Sequence, residues 1–232
     1  LSSLIVALDF PDLGSARKLV KKLQGLVQIY KIGSEFFTAH GWEAVELVHR
    51  GGGKVFLDLK LHDIPTTVAR TARVIASRGI FMFNVHASGG LEMMKQAKTA
   101  VDEISPKGVK PLLVAVTVLT SLEEKILARE LGIQRSLREQ VLALARLARS
   151  AGLDGVVCSP EETEFLRKEL GKKFILVTPG VRPAGSAKDD QSRVTTPEEA
   201  MKRGANYLVV GRPVTAASDP RAAASQILHS LA

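Results

Sequence analysis

The chain has 232 residues, 45% of them hydrophobic and 24% charged, with no long low-complexity tract, so it carries enough apolar material for a sizeable core. Its formal charge of +8 is spread over scattered lysines and arginines, and only 5% of residues are aromatic, which argues against a base-stacking nucleic-acid surface and favours an anionic small molecule. The single Cys158 excludes an intramolecular disulfide or a zinc knuckle, and the opening run "LIVAL" meets Asp9 and Pro11 too soon for a membrane span; a cytoplasmic protein is expected.

Short β-branched runs alternate with amphipathic, charge-bearing segments along the whole chain. Strands are predicted at 4–9, 27–33, 54–60, 80–87, 111–119, 154–159, 173–179 and 206–212. Helices are predicted over Asp12–Gln24, Glu35–Arg50, Thr66–Arg78, Gly89–Glu103, Leu137–Ser150, Pro160–Leu170, Pro197–Arg203 and Pro220–Leu231, with a shorter one near 122–130. The strand runs are nearly continuous in hydrophobicity, as parallel strands buried on both faces require. Eight such units of about 29 residues suit a (β/α)8 barrel, an α/β fold of ~250 residues, better than an open doubly wound sheet. The Rossmann phosphate fingerprint is missing after the first strand, where "LDFPDLGSA" offers only Gly14. No linker or composition break divides the chain, so 1–232 is expected to form one catalytic domain.

Barrels of this kind place chemistry at the C-terminal ends of their strands. Those ends carry, in order, Asp9, Lys31, Asp58 with Lys60, His86, Thr120, Cys158, Thr178 and Gly211-Arg212. The third is the most charged: "KVFLDLKLHDIPTT" brings Asp58, Lys60 and Asp63 together within six positions. Side chains alternate along a strand, so Asp58 and Lys60 share one face while Val55 and Leu57 take the other. Opposite charges 4 Å apart attract by roughly 4 kcal/mol at an effective dielectric of 20. Desolvation consumes much of that, so such a cluster is a poor device for stability. Its alternatives are a rim ion-pair network, a magnesium site on Asp9, Asp58 and Asp63, and a Schiff-base lysine. The interposed lysines compete with a metal ion, and a flanking carboxylate holds an amine protonated. General acid catalysis by a lysine, with no metal and no cofactor, is favoured.

"VTPGVRPAGSAKDDQSR" and "VVGRPVT" follow the seventh and eighth strands, where barrels commonly bind phosphate. Gly211 permits close backbone approach and Arg212 offers a forked pair of donors. The segment from Pro179 to Thr195 reads as a lid carrying Arg182 and Gln191. His86 reads as a packed or capping histidine, Cys158 as a small buried hydrophobe, and "RKELGKK" as the solvated end of a helix.

With "LIVALDFPD", "YKIGSEFF", "FLDLKLHDIPTTV", "VTVLTS", "TPGVRP…DDQ" and "VVGRPVT" in order, the chain resembles the orotidine 5′-phosphate decarboxylase family in its bacterial form. "DLKLHDIP" fits that family's D-x-K-x-x-D pattern. The resemblance implies decarboxylation of orotidine 5′-phosphate to uridine 5′-phosphate, the last step of pyrimidine nucleotide synthesis. It implies that Lys60 protonates C6 within a network of Lys31, Asp58 and Asp63. It implies further that Asp9 and Lys31 bind the ribose, Thr120 the pyrimidine, and Arg182, Gln191, Gly211 and Arg212 the phosphate end. Asp63 and Thr67 would enter the neighbouring subunit's site, so a homodimer is implied, and Ile64 and Pro65 between them are expected to bind substrate. The rivals are a magnesium-dependent sugar-phosphate decarboxylase or aldolase on the same barrel, and a noncatalytic nucleotide-phosphate binding protein. Such sibling enzymes carry an acidic metal ligand where this chain has Lys31.

Overall fold

A computed structural model describes residues 3–104, 110–182 and 195–231. Eight parallel strands follow one another around a closed barrel in which β1 (Leu4–Ala7) pairs with both β2 (Ile29–Gly33) and β8 (Tyr207–Val210). Between β1 and β2 lies α1 (Leu13–Leu23), and β2 leads into α2 (Ser34–His40) and α3 (Trp42–Arg50). Next come β3 (Lys54–Leu61), α4 (Pro65–Ala76), β4 (Met82–His86), a 3-10 turn (Ala87–Gly89) and α5 (Gly90–Ile104). The second half runs β5 (Leu112–Val116), α6 (Glu124–Arg129), α7 (Leu137–Ser150), β6 (Gly155–Val157), α8 (Thr163–Leu170) and β7 (Ile175–Pro179). It ends with α9 (Pro197–Lys202), β8, α10 (Arg212–Thr215) and α11 (Pro220–Ser230).

The period of two sorts the strand residues into two cores. Ile5, Ile29, Phe56, Met82, Val114, Val177 and Val209 point inward and fill the barrel. Residues of the other parity, among them Leu4, Tyr30, Val55, Leu57, Phe83 and Leu113, pack against the helices in a larger outer cluster. The parity expected at β3 is therefore the one observed. Two residues further toward the C-terminal end, the same inward rows carry Lys31, Asp58 and Asn84. The apolar layer is the floor of the site.

Three expectations need correction. The helix expected over 35–50 is two helices, because Gly41 adopts φ 53° and ψ −136°, a conformation essentially confined to glycine. Several strands end earlier than their hydrophobic runs: β5 stops at Val116 and β8 at Val210, and Arg212 opens a short helix instead of closing a strand. Finally, "RKELGKK" is not wholly a solvated helix end. The Arg167 guanidinium donates to the carbonyls of Gly171, Phe174 and Gly204 and to Asn206 Oδ1 at 2.6–3.1 Å. It closes the N-terminal face of the barrel by satisfying backbone acceptors that two loops leave over.

Gly155 shows how tightly the barrel closes. A Cβ there would lie 2.1 Å from the Ile175 carbonyl oxygen, so β6 and β7 can approach only with glycine at this position.

Candidate active site

Four inward-facing side chains from three adjacent strand ends form one chain of charges. Lys31 Nζ, at the middle of β2, lies 3.0 Å from Asp9 Oδ1 just beyond β1 and 3.5 Å from Asp58 Oδ2 on β3. Lys60 Nζ lies 2.8 Å from Asp58 Oδ1. Asp58 is the shared anion. Its side chain is 13% exposed, Lys31 is 12% exposed, and Lys60 is 37% exposed and therefore the member that solvent or a ligand reaches. Burial alone would raise the Asp58 carboxyl's pKa. The ammonium groups of Lys31 and Lys60, with hydrogen bonds from Lys60 and Asn84, outweigh burial and hold it below its ordinary value of 3.8. It is a carboxylate throughout the neutral range.

β3 reaches this arrangement by leaving regular geometry. Leu57 pairs with Phe83 and Leu61 with Val85, so four steps along β3 match two along β4. Inside that irregularity Lys60 has φ 52°, the only positive φ at a non-glycine among the described residues. For a lysine this costs of order 1–3 kcal/mol, so something must hold it. Asn84, buried at 1% exposure on the facing stretch of β4, does so with both ends of its amide. Its Oδ1 accepts from the Lys60 N–H at 2.8 Å, and its Nδ2 donates to Asp58 Oδ1 at 2.7 Å. The sequence reading passed over Asn84. A polar residue with inward parity in a buried strand was the available signal.

Gly33 occupies the last inward position of β2, opposite Asp58. A Cβ at Gly33 would fall 2.9 Å from Lys31 Nζ and 3.3 Å from Asp9 Oδ1. The obstacle is the end of a flexible side chain, so Gly33→Ala is expected to fold with near-parental thermal stability. Its Lys31 ammonium must move, and a shift of that kind is expected to cost about 10²-fold in turnover. Circular dichroism with steady-state kinetics checks both halves of this expectation.

Lys31, Asp58, Lys60, Thr120 and Val209 line a cavity of about 210 Å³ over the barrel floor. A larger one, about 470 Å³, lies beside it under the loops after β5, β6 and β7 and shares Thr120, Ser159 and Pro179 with the first. The larger space is thus an annex to the charges and not their container. Thr120, expected at a strand end, stands four residues beyond β5 and borders both. Cys158 borders the smaller cavity, but burial pushes its thiol up to about 12, so it is no nucleophile at neutral pH. His86 caps the 3-10 turn, its Nδ1 lying 2.6 Å from Ser88 Oγ, and its ring stacks on His62 at 5.4 Å.

Within one chain Asp63 stands apart from the charged cluster: its carboxylate accepts from the Ile64 N–H at 2.6 Å, at the turn into α4, and it forms no ion pair among the described residues. β3 ends at Leu61, so strand parity no longer governs residue 63. Ile64 is 64% exposed, and Pro65 and Thr67 stand in the first turn of α4 beside it. Gly211 is the N-cap of α10, and a Cβ there would lie 3.9 Å from Asp9 Oδ2, which sets Arg212 beside the same rim. Arg182 is 5% exposed and its N–H donates to the Thr195 carbonyl at 3.1 Å. Gln191 lies outside the described residues. Among those residues no group of three or more His, Cys, Asp and Glu side chains is arranged to hold a metal ion.

The family model described as Orotidine 5′-phosphate decarboxylase / HUMPS matches residues 2–227. The chain is 54% identical over 226 residues to an orotidine 5′-phosphate decarboxylase of Moorella thermoacetica, covering 97% of this chain and 90% of that protein. It is 49% identical to one from Photobacterium profundum, covering 98% and 97%. Its fold is similar to the crystal structure of orotidine 5′-phosphate decarboxylase from Lactobacillus acidophilus, with a TM-score of 0.87 and 39% identity over 100% of this chain and 99% of that one.

Proposed function

Because the chain belongs to the orotidine 5′-phosphate decarboxylase / HUMPS family, we propose that it converts orotidine 5′-phosphate to uridine 5′-phosphate and CO2, with Lys60 as the proton donor. The observation that carries the proposal is the Lys60 ammonium, 2.8 Å from a buried carboxylate and facing a cavity. The C6–carboxylate bond breaks, CO2 leaves, and the electron pair stays on C6. No ring system of a cofactor is needed if fixed charge stabilises that carbanion, and an ammonium is suited to it. Lys60 then gives its Nζ proton to C6 and recovers one from solvent. Asp58 holds the ammonium in place and crowds the substrate carboxylate; Lys31 keeps Asp58 ionised.

The remaining positions take the roles implied by the family. Asp9 and Lys31 would bind the ribose and Thr120 the pyrimidine. Gly211, Arg212, Arg182 and Gln191 would bind the phosphate, whose binding energy is remote from the reacting carbon and is spent on orienting it. The exposed placement of Asp63 and Thr67 supports a homodimer in which each subunit lends these residues to the other's site, and Ile64 and Pro65 between them would bind substrate. No described helix is long and apolar enough to cross a membrane, and a cytoplasmic metabolic enzyme is the fitting reading.

The rival reading is a magnesium-dependent sugar-phosphate enzyme on the same barrel. Lys31 in place of an acidic ligand, ion-paired on both sides, speaks against that class. One assay separates the two: purified protein is mixed with orotidine 5′-phosphate, with and without EDTA, and pyrimidine absorbance is followed. Loss of orotate absorbance unaffected by EDTA is expected. No loss defeats the decarboxylase reading, and loss that EDTA abolishes favours a metal-dependent reaction.

A further inference from the structure

We propose that Asn84 is a positioning residue for this reaction: its amide fixes the distance between Asp58 and Lys60 by holding the Asp58 carboxylate with Nδ2 and the Lys60 backbone with Oδ1. The proposal rests on the reading of Lys60 as proton donor. Asn84 lies below the charges at the level of Val114, does not line the reaction cavity, and is buried, so it acts through its two partners. The Asn84 Oδ1 acceptor is the contact that holds the Lys60 N–H while that residue keeps its unusual φ of 52°. The Lys60 side chain leaves the backbone from that residue, so relaxing the backbone swings Nζ away from Asp58 Oδ1. The same Oδ1 atom accepts from Lys60 Nζ and Asn84 Nδ2, so the amide also directs which carboxylate oxygen faces the ammonium.

Asn84→Asp tests this with almost no change of shape. The new carboxylate still accepts from the Lys60 N–H, but faces Asp58 with an acceptor where a donor stood. Lys31 approaches the pair from β2 and Lys60 from β3, and Asp9 lies behind Lys31 beyond β1. His86 follows on β4 itself, stacked on His62, while β5 faces the pair only with apolar Val114 and Val116. Two carboxylates this close share one proton at low pH and repel when both ionise. In the protonated form the new residue donates to Asp58 again, and the pair carries the single charge that Asp58 carries alone.

Turnover of Asn84→Asp at pH 8 is therefore expected to fall by about 10²-fold, the cost of a misplaced catalytic group. It should recover roughly tenfold or more on going to pH 5, a rise the parent does not show, with KM within about threefold of parental because Asn84 meets no ligand. A profile parallel to the parent's, or turnover within about threefold of it at pH 8, overturns the proposal. Should that variant fail to fold, Asn84→Ser keeps a small polar group too short to bridge both partners. Its kcat is expected to drop by about 10²-fold at near-parental KM, and near-parental kcat is fatal to the proposal.

A readout without turnover separates this proposal from the proton-donor reading. The 13C resonance of the Asp58 carboxyl, assigned by its loss in Asp58→Asn, should titrate at higher pH in Asn84→Ser than in the parent. An unmoved midpoint overturns the positioning role even if Lys60 proves to be the acid. A moved midpoint shows that the amide holds the Asp58 carboxylate, whichever group proves to be the acid.

Discussion

Lys60→Ala is expected to lower kcat by at least about 10⁴-fold, since it removes both a general acid and the charge nearest the developing carbanion. Affinity for the product nucleotide should stay close to parental, because the residues proposed to hold phosphate and ribose are other ones. Alanine at φ 52° is no more comfortable than lysine, and Asn84 Oδ1 still accepts from the residue 60 N–H, so the local backbone should stay as it is. Stability should therefore hold while turnover disappears. Turnover by stopped-flow absorbance and product binding by calorimetry measure the two arms. Near-normal kcat would sink the assignment of Lys60, and lost nucleotide binding would show that the variant has damaged more than the acid.

Asp58→Asn carries the second largest effect. An amide cannot neutralise two ammonium groups, and Lys31 and Lys60, now joined by an anion, would repel across the same space. Lys31 retains Asp9 at 3.0 Å, but Lys60 has no second carboxylate among its contacts. A fall in kcat of about 10³-fold is expected, of the size found when one oriented charge is removed from a catalytic site. KM should not rise. If it falls with kcat, Asp58 raises the energy of the bound substrate by repelling its carboxylate; if it stays level, Asp58 acts by placing Lys60. A large rise in KM at unchanged kcat contradicts both roles.

The same substitution has a consequence for stability in acid. The Asp58 pKa is depressed in the folded protein, so its contribution to stability is fully present above its ordinary value of 3.8 and is lost as pH falls through the lower folded value. Below pH 4 the parent should therefore lose stability more steeply than Asp58→Asn, which urea titrations at successive pH values would record. Equal slopes would mean that Asp58 is no better placed, electrostatically, in the fold than in the unfolded chain.

Much of this site was readable before any coordinates. The alternation of β-branched runs with amphipathic segments gave eight strands in their places, because burial on both faces leaves a continuous apolar signal that needs no knowledge of neighbours. Period two put Asp58 and Lys60 on one face of β3, with Val55 and Leu57 on the other, and the inner and outer cores divide along that line. Asp9 and Lys31 were expected at the rim because barrels gather chemistry at the C-terminal ends of their strands. The splitting of the helix expected at 35–50 was less accessible: glycine inside a helical pattern is tolerated often enough that Gly41 alone does not announce a break.

What the sequence by itself determined is therefore the set of strands, the face each residue takes, and the end of the barrel where the charges gather. These are properties of the local chain, set by a side-chain period that each strand carries with it. Only the tertiary structure decided that β1 closes on β8, that Asp58 is the anion common to Lys31 and Lys60, and that Asp63 stands apart from them. It alone revealed Asn84 under the positive φ of Lys60 and Arg167 capping four acceptors at the far face. The Lys31–Asp58, Asn84–Lys60 and Arg167–Gly204 contacts join residues far apart in sequence, fixed by strand register and barrel closure. A periodic pattern gives direction along one strand; it holds no information about which atom waits on the next.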